Sequence, residues 1–305
     1  MMRKLSAHPI LKTWCRAALL GAISLITSRA RAEDPAPAAA PPAGVNPNHS
    51  PFRVNVGLDL GLSLGVVAVG AVPRLFAQET VRPWCGLDCH PSDVNGLDRT
   101  VIGHHWGTAR TVGDSSYITS LAAPYVLGAL DVLVSRPTDG FLGMATDDLV
   151  LGETLAITLS TNNMLSFIVR RPRPRTYDPS ISPAERKDPN EAFSFPSGHV
   201  AGSFAMATAY SRLFMMRHPN SPLIAPLWIG TYSLASVTGV FRTLSGDHFW
   251  SDVIIGAVSG IGFGLLVPWM HTPAVVSTLA KPGALRVRVA PAAFARGAGA
   301  MLVIE

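Results

Sequence analysis

The sequence predicts an all-α protein, a bundle of about six apolar helices. Clusters of Gly, Pro, Asp and Asn, which are typical of turns, separate six apolar runs along the chain. Each run is long and rich in Ala, Leu and Gly, a composition that favours helices over strands. The runs cover roughly residues 55–78, 117–134, 150–169, 199–216, 222–241 and 253–270.

The first 32 residues have the pattern of a secretory signal peptide. Basic residues precede the apolar run AALLGAISLIT, and small residues close the segment at Ala30 and Ala32. The run is too short for a comfortable transmembrane helix, and an uncleaved anchor is the alternative. Residues 1–32 hold six basic residues and no acid, so their removal lowers the net charge from +5 to −1. The net positive charge of the full chain therefore gives no support for nucleic-acid binding.

A linker and an N-terminal region follow the signal peptide. Residues 33–52 are rich in Pro and Ala without periodicity, which is typical of a flexible linker. Residues 53–114 contain the first apolar run and the stretch WCGLDCH. In an exported chain, Cys85 and Cys89 of that stretch predict a short-loop disulfide. Zinc binding with neighbouring histidines is the alternative, although the spacing fits no standard zinc pattern.

Residues 84–112 contain further polar side chains whose role the sequence leaves open. Asp98 and His105 either shape substrate entry or only pack, and the sequence does not choose between these roles.

The helical core is predicted for residues 115–271, which hold the other five apolar runs. Residues 272–305 form a C-terminal tail. In this tail the alternating stretches LRVRVA and AMLVI flank RGAGA, which predicts a short β-hairpin.

Membrane insertion is favoured, with a soluble bundle as the alternative. Only the runs 222–241 and 253–270 are free of charge over roughly the length that a bilayer requires. The other runs contain charged residues, and placing a charged side chain in lipid costs free energy. If the five runs of the core span, the loops 170–198 and 242–252 lie outside the cytoplasm. The basic tail then lies inside, as the positive-inside rule prefers.

Those two loops carry three elements in which we expect chemistry. The first is RRPRPRTYDP, which places four arginines directly after an apolar run: Arg170, Arg171, Arg173 and Arg175. The second is Pro-Ser-Gly-His at 196–199. A helix that begins there has Ser197 as its cap and His199 in its first turn, and its free N–H groups favour an anion.

The third element is FRTLSGDHFWSD, with Arg242, His248 and Asp252. His248 and Asp252 are four residues apart, so they share one face of a helix that begins near Asp247. A carboxylate there holds the imidazole N–H and fixes its tautomer. Arg242 offers a forked donor to an oxyanion. Alone this element also fits a surface ion-pair cluster, but all three elements together are unlikely to arise by chance.

In these elements the sequence resembles the type 2 phosphatidic acid phosphatases, which share their site with vanadium-dependent haloperoxidases and bacterial acid phosphatases. The family pattern is a Lys, six residues and Arg-Pro; then Pro-Ser-Gly-His; then Ser-Arg, five residues, His, three residues and Asp. Arg173–Pro174, the tetrapeptide 196–199 and the residues Arg242, His248 and Asp252 match it. The resemblance covers about residues 115–271.

The resemblance implies a role for each matching residue. His248 would attack phosphorus to form a phosphohistidine, and Asp252 would orient it. His199 would protonate the leaving oxygen and then activate water. Phosphate contacts would come from five residues: Arg173, Ser197, Gly198, Arg242 and, as a further candidate, Arg171. This mechanism requires no metal or other cofactor.

Two positions depart from the family pattern. Ser166 stands at the lysine position counted from Arg173, and Met164 stands there when the count begins at Arg171. Phe241 replaces the serine before Arg242. Loss of a cationic phosphate contact is expected to cost a few kcal/mol of transition-state stabilisation. Another arginine of the loop is the predicted substitute.

We therefore predict a phosphatase that hydrolyses a phosphate monoester or pyrophosphate outside the cytoplasm. A lipid phosphate is the expected substrate if the helices span, and a small soluble phosphomonoester if they do not. Two alternatives remain: a haloperoxidase in which His248 ligates vanadate, and a degenerate protein that binds phosphate or lipid without turnover.

Overall fold

A computed structural model describes residues 49–77, 81–85, 88–279, 287–294 and 297–304. The predicted signal peptide, residues 1–32, and nearly all of the predicted linker, residues 33–52, lie outside the described residues.

Each of the six apolar runs forms a long helix, as the sequence predicts. Three four- to seven-residue helices complete the α-helices of the described residues. In chain order, they are α1 (Val56–Ala77), α2 (Gly96–Arg99), α3 (Gly107–Ser135), α4 (Gly140–Val169), α5 (Pro183–Arg186), α6 (Gly198–Arg217), α7 (Ile224–Leu244), α8 (Trp250–Met270) and α9 (Pro273–Leu279). Both α3 and α4 begin about ten residues before the apolar runs that predicted them.

The tail contains the predicted hairpin. Strand β1 (Val287–Phe294) pairs with β2 (Gly297–Ile304) in an antiparallel two-stranded sheet. The all-α prediction therefore holds for the core, and the hairpin lies after it.

Helix α6 is the centre of the bundle, with most of its residues buried. It packs closely against α8 because Gly256, Gly260 and Gly264 repeat every four residues and so share one face of α8. A Cβ atom added to Gly256 would lie only 2.7 Å from the backbone oxygen of Ser197. This close approach sets the beginning of α6 beside the beginning of α8.

Three helices are long and apolar enough to cross a membrane, judged by length and composition within the described residues: α3, α7 and α8. The helices α7 and α8 correspond to the two charge-free runs. Only 17% of the residues in the apolar windows of α3 and α7, and 33% in that of α8, are buried inside the protein. Their apolar side chains, such as Val134 and Val258, point outward, which is the arrangement expected of helices that face lipid.

The disulfide predicted between Cys85 and Cys89 is present. Cys89 is buried in a small apolar cluster together with Val101, Tyr177 and Phe249. The cysteine-containing loop thereby packs against the residue that precedes α8.

Candidate active site

The three sequence elements meet at one pocket of about 270 Å³. Helix α4 ends at Val169, where Arg170 adopts a left-handed conformation with φ 51° and turns the chain into the arginine-rich loop. Helix α6 begins at Gly198 and α8 at Trp250, so the loops before them reach the same end of the bundle. The predicted residues that line the pocket are Arg173, Gly198, His199 and His248, and α4 adds Asn162, Asn163 and Ser166.

His248 is buried and held in a defined orientation. Its Nδ1 lies 2.6 Å from the backbone oxygen of Ser194. Because a carbonyl oxygen only accepts, Nδ1 donates, and the neutral ring keeps the lone pair on Nε2. Burial, assisted by Arg173 and Arg242, lowers the pKa of His248 well below the usual range of histidine. The free ring is therefore neutral and nucleophilic at neutral pH.

Asp252 does not hold His248 directly, contrary to the prediction from their spacing. The Oδ2 atom of Asp252 lies 4.0 Å from Nδ1 of His248. It accepts hydrogen bonds from the Ser194 hydroxyl at 2.5 Å and the Phe249 backbone N–H at 2.8 Å. The carboxylate caps the first turn of α8, and its bond to Ser194 places the carbonyl of that residue against the imidazole. Asp252 thus acts on His248 through Ser194.

Arg171 lies behind the site rather than in the pocket, which corrects its prediction as a phosphate contact. It donates to Asp252 Oδ1 at 2.5 Å, to the Ser251 hydroxyl at 2.7 Å and to Asp98 Oδ2 at 2.9 Å. Its guanidinium also stacks 4.5 Å from the centre of the Phe249 ring. Arg171 therefore anchors the carboxylate that orients Ser194.

Asp98, which the sequence left unassigned, completes this support. It is fully buried, and its two oxygens accept from the backbone N–H and hydroxyl of Ser251 at 2.9 and 2.6 Å. Burial alone would raise the pKa of Asp98, but the hydrogen bonds from Ser251 and Arg171 outweigh it, and the pKa is lowered. Asp98 is therefore an anion that binds Arg171 and the first turn of α8.

A second group, which we call the arginine cluster, surrounds Asp247. Oδ1 of Asp247 accepts from Arg110 at 2.5 Å, Arg175 at 3.1 Å and Arg173 at 3.3 Å, and Oδ2 accepts from Arg242 at 3.1 Å. Burial would raise the pKa of Asp247, but the guanidinium groups of Arg173 and Arg110 outweigh it and lower the pKa. One buried carboxylate thus gathers four cations at the edge of the pocket.

His199 is connected to this cluster through another acid, Asp114. Its Nε2 lies 3.7 Å from Oδ1 of Asp114, and the same carboxylate accepts a hydrogen bond from Arg242. The ring of Tyr117 lies 4.5 Å from the imidazole, centre to centre. Asp114 links the acid–base candidate to a phosphate-binding candidate, and motif spacing alone did not identify it.

Several donors near the pocket have no hydrogen-bond partner among the described residues. They are the Ser197 hydroxyl, the Asn162 side-chain amide and the Nε atoms of Arg173 and Arg242, all buried. Native structures rarely leave buried polar atoms unpaired. A tetrahedral oxyanion is a ligand whose oxygens would satisfy such donors.

The lysine position of the family pattern is filled by a neutral side chain. Ser166 lines the pocket and is buried. Among the described residues that line the pocket, Arg173 is the one lysine or arginine. Nη2 of Arg175 instead pairs with Asp247 Oδ1 at 3.1 Å and with Glu191 Oε1 at 3.2 Å. The predicted arginine substitute is therefore absent from this position.

These observations describe a pocket within a helical bundle that two histidines and an arginine line. A sequence model of the PAP2 superfamily matches residues 148–275, which include all three motifs. The match covers less than half of the chain, and within it this segment is similar to the PAP2 superfamily.

Two individual proteins are also similar to this chain. The lipid A 1-phosphatase of Porphyromonas gingivalis is 38% identical over 87 residues, which are 28% of this chain and 18% of that protein. The chain therefore matches less than a fifth of the length of this relative. A PAP2-type phosphatidylglycerolphosphate phosphatase from Bacillus subtilis is 20% identical, with a TM-score of 0.40 over 68% of this chain and 93% of that one. That score is too low to support an argument.

Proposed function

We propose that this protein is a phosphatase that removes phosphate from a lipid phosphate monoester or pyrophosphate through a phosphohistidine intermediate. One observation carries the proposal. His248 is buried and neutral, and its Nδ1–H is bound to Ser194; it lines the same pocket as Arg173 and His199.

In the first step, Nε2 of His248 attacks phosphorus as the bond from phosphorus to the leaving oxygen breaks. His199 donates a proton to that oxygen. In the second step, His199 takes a proton from water, whose oxygen attacks phosphorus and displaces His248. The products are the dephosphorylated alcohol, or the lower phosphate, and inorganic phosphate, and both histidines return to their initial states.

Phosphoryl transfer requires cations and N–H groups around the equatorial oxygens. Arg173, Arg242 and Ser197 carry the unpartnered buried donors described above, and the backbone N–H groups at the beginning of α6 add to them. During the attack the His248 ring becomes positive. The Ser194 carbonyl, supported by Asp252, would stabilise that charge.

Two observations support a lipid as the substrate. The relative from Porphyromonas gingivalis is, by its name, a phosphatase of a lipid. In addition, a mostly apolar groove of about 400 Å³ runs between α1 and α4, lined by Leu62, Val66 and Met164 among others. Met164 follows Asn162 and Asn163 by two positions and one, so at about 100° per residue the groove and the pocket lie on different sides of α4. The groove is therefore an apolar surface available to a lipid that is separate from the pocket.

The site is proposed to face the non-cytoplasmic side, with the protein exported and held in the membrane. The signal-peptide pattern and the basic tail support this orientation, which requires α4 and α6 to cross the membrane together with the three apolar helices.

The test is phosphate release by the full chain in detergent with a chelator present, from phosphatidic acid and from a soluble aryl phosphate. We expect turnover that vanadate blocks and that His248→Ala abolishes. His218→Ala, whose imidazole pairs with Asp131 away from the pocket, is the matched control and should keep full activity. Absence of turnover by folded wild-type protein with both substrates would contradict the proposal.

The neutral side chain of Ser166 favours a second candidate, a protein that binds phosphate without turnover. Saturable vanadate or phosphate binding that Arg173→Ala weakens, together with no turnover, would support this candidate. Bromide oxidation with added vanadate tests the haloperoxidase alternative in the same preparation. The missing lysine counts against that alternative, because vanadate oxygens also require cations.

A further inference from the structure

Three ionisable side chains converge at the end of the bundle away from the pocket. Asp59 lies in the first turn of α1, Glu153 in α4, and His271 directly after α8. Their ligand atoms all lie within 4.8 Å of one another. Helix α8, which begins beside His248, is about 30 Å long at 1.5 Å per residue, so this cluster is remote from the candidate active site.

Buried negative charge is concentrated at this point. Asp59 and Glu153 are only 6% and 7% exposed. Within the described chain, His271 is the one basic side chain that forms an ion pair with either of them. Two neighbouring carboxylates in a poorly solvated position are costly unless a cation or a proton lies between them.

Hydrogen bonds around the cluster direct its donor atoms inward. The Nδ1 atom of His271 lies 3.2 Å from the backbone oxygen of Arg53 and donates to it. Its Nε2 then faces Glu153 Oε2, at 2.8 Å. Oδ2 of Asp59 accepts from the backbone N–H of Asn55 at 2.8 Å. Metal-binding histidines in proteins are held in this way, with the other ring nitrogen donating to a carbonyl or carboxylate.

We propose that Asp59, Glu153 and His271 bind a divalent transition-metal cation of the Zn²⁺ type. One imidazole nitrogen and two carboxylate oxygens form a donor set that suits this ion. Each ligand bond would be about 2.0–2.2 Å. His271 Nε2 and Glu153 Oε2, now 2.8 Å apart, would separate slightly to admit the ion, and the Asp59 carboxylate would approach it by about 1 Å or less. The ion would neutralise both carboxylates and join α1, α4 and the end of α8. This inference does not rest on the proposed function.

The test uses the full chain in detergent after treatment with a chelator and its removal. Calorimetric titration with Zn²⁺ alone should reveal a site whose affinity falls at least tenfold in Glu153→Gln and in Asp59→Asn. His218→Gln is the matched control, because His218 pairs with a single carboxylate, Asp131, and lies outside the cluster. It should bind Zn²⁺ as the wild type does. Thermal unfolding should shift upward with Zn²⁺ in the wild type and less in the two cluster variants.

Two results would overturn the proposal: folded wild-type protein without saturable Zn²⁺ binding, or binding that both cluster variants leave unchanged. Absence of saturable Zn²⁺ binding would show that a proton between His271 and Glu153 is sufficient to offset the buried negative charge. If neither variant folds, anomalous scattering at the zinc edge from wild-type crystals decides the matter. An ion between Asp59, Glu153 and His271 is the expected result, and an ion bound elsewhere with none at this position would contradict it.

Discussion

The backbone oxygen of Ser194 lies 2.6 Å from Nδ1 of His248, whereas Oδ2 of Asp252 lies 4.0 Å from the same nitrogen. The orientation of the proposed nucleophile therefore depends on a carbonyl, and Asp252 holds that carbonyl in place through the Ser194 hydroxyl. Under the proposed function Ser194 is a positioning residue, since its contact with the site is through His248.

Removal of the Ser194 hydroxyl should lower activity, although the hydrogen bond from His248 Nδ1 to the Ser194 carbonyl is retained. In Ser194→Ala the carbonyl remains, but the hydrogen bond to Asp252 is lost, so the ring is held less firmly. We expect kcat to fall on the order of tenfold with little change in KM. Ser203→Ala, which truncates a buried serine that bonds to Thr238, is a suitable control. Equal kcat values for Ser194→Ala and wild type would show that the hydroxyl has no positioning role.

Asp247 is expected to matter because it gathers the arginine cluster. Asp247→Asn removes the charge that holds Arg173 and Arg242 in place, and small displacements of catalytic groups cost on the order of 10²-fold. We therefore expect kcat/KM to fall by about that factor and vanadate to inhibit less strongly. Asp131→Asn, which breaks an ion pair with His218, should change neither quantity. Unaltered vanadate inhibition in Asp247→Asn would limit the cluster to a structural role.

A lysine at the position where the matched motif pattern has one should increase turnover. Ser166→Lys places an ammonium group at the lining of the pocket, where the structure has a neutral hydroxyl. We expect kcat/KM to rise at least tenfold, since one preorganised contact to the transition state contributes about 3 kcal/mol. Met164→Lys tests the other register of the motif, and because Met164 faces the apolar groove, it should not raise activity. A rise in Met164→Lys alone would reverse the assignment of the register.

Acid should destabilise the wild type more than a variant without the buried imidazole. The pKa of His248 is lowered in the folded chain, so between about pH 6.5 and that lower value the unfolded chain binds a proton that the folded chain does not. Folding stability is therefore lost as pH falls below about 6.5, by up to roughly 1.4 kcal/mol per pH unit.

In His248→Gln this contribution is absent. Thermal unfolding measured at pH 7.5 and pH 5.5 should show a larger decrease in Tm for the wild type than for the variant. Parallel decreases in both proteins would contradict the inference of a neutral, buried His248.

The sequence predicts the helices well because each of them is a continuous apolar run. It also places the three motifs at one site, since the motifs stand at the ends of those runs. The spacing of His248 and Asp252 suggested a direct bond, but it does not indicate that a residue 54 positions earlier, Ser194, supplies a closer acceptor.

Long-range partners account for the other differences. Arg171 follows the same apolar run as Arg173, yet Asp98 and Asp252 draw it away from the pocket. Asp98 belongs to a region without a motif, and its role depends on its contact with Ser251, 153 residues away. Such pairings arise from the packing of α2 against α8 and have no local pattern in the chain.

The central claim is that His248 becomes phosphorylated, and trapping the intermediate tests it most directly. Full-length His199→Ala, mixed with a ³²P-labelled aryl phosphate and quenched, should accumulate label on the chain. A good leaving group needs little protonation, whereas hydrolysis still requires the base. The account predicts label that is stable in alkali, lost in acid and mapped to His248, with none in the double variant His199→Ala, His248→Ala. Label that persists in the double variant, or turnover by wild type with no trapped label in His199→Ala, would contradict it.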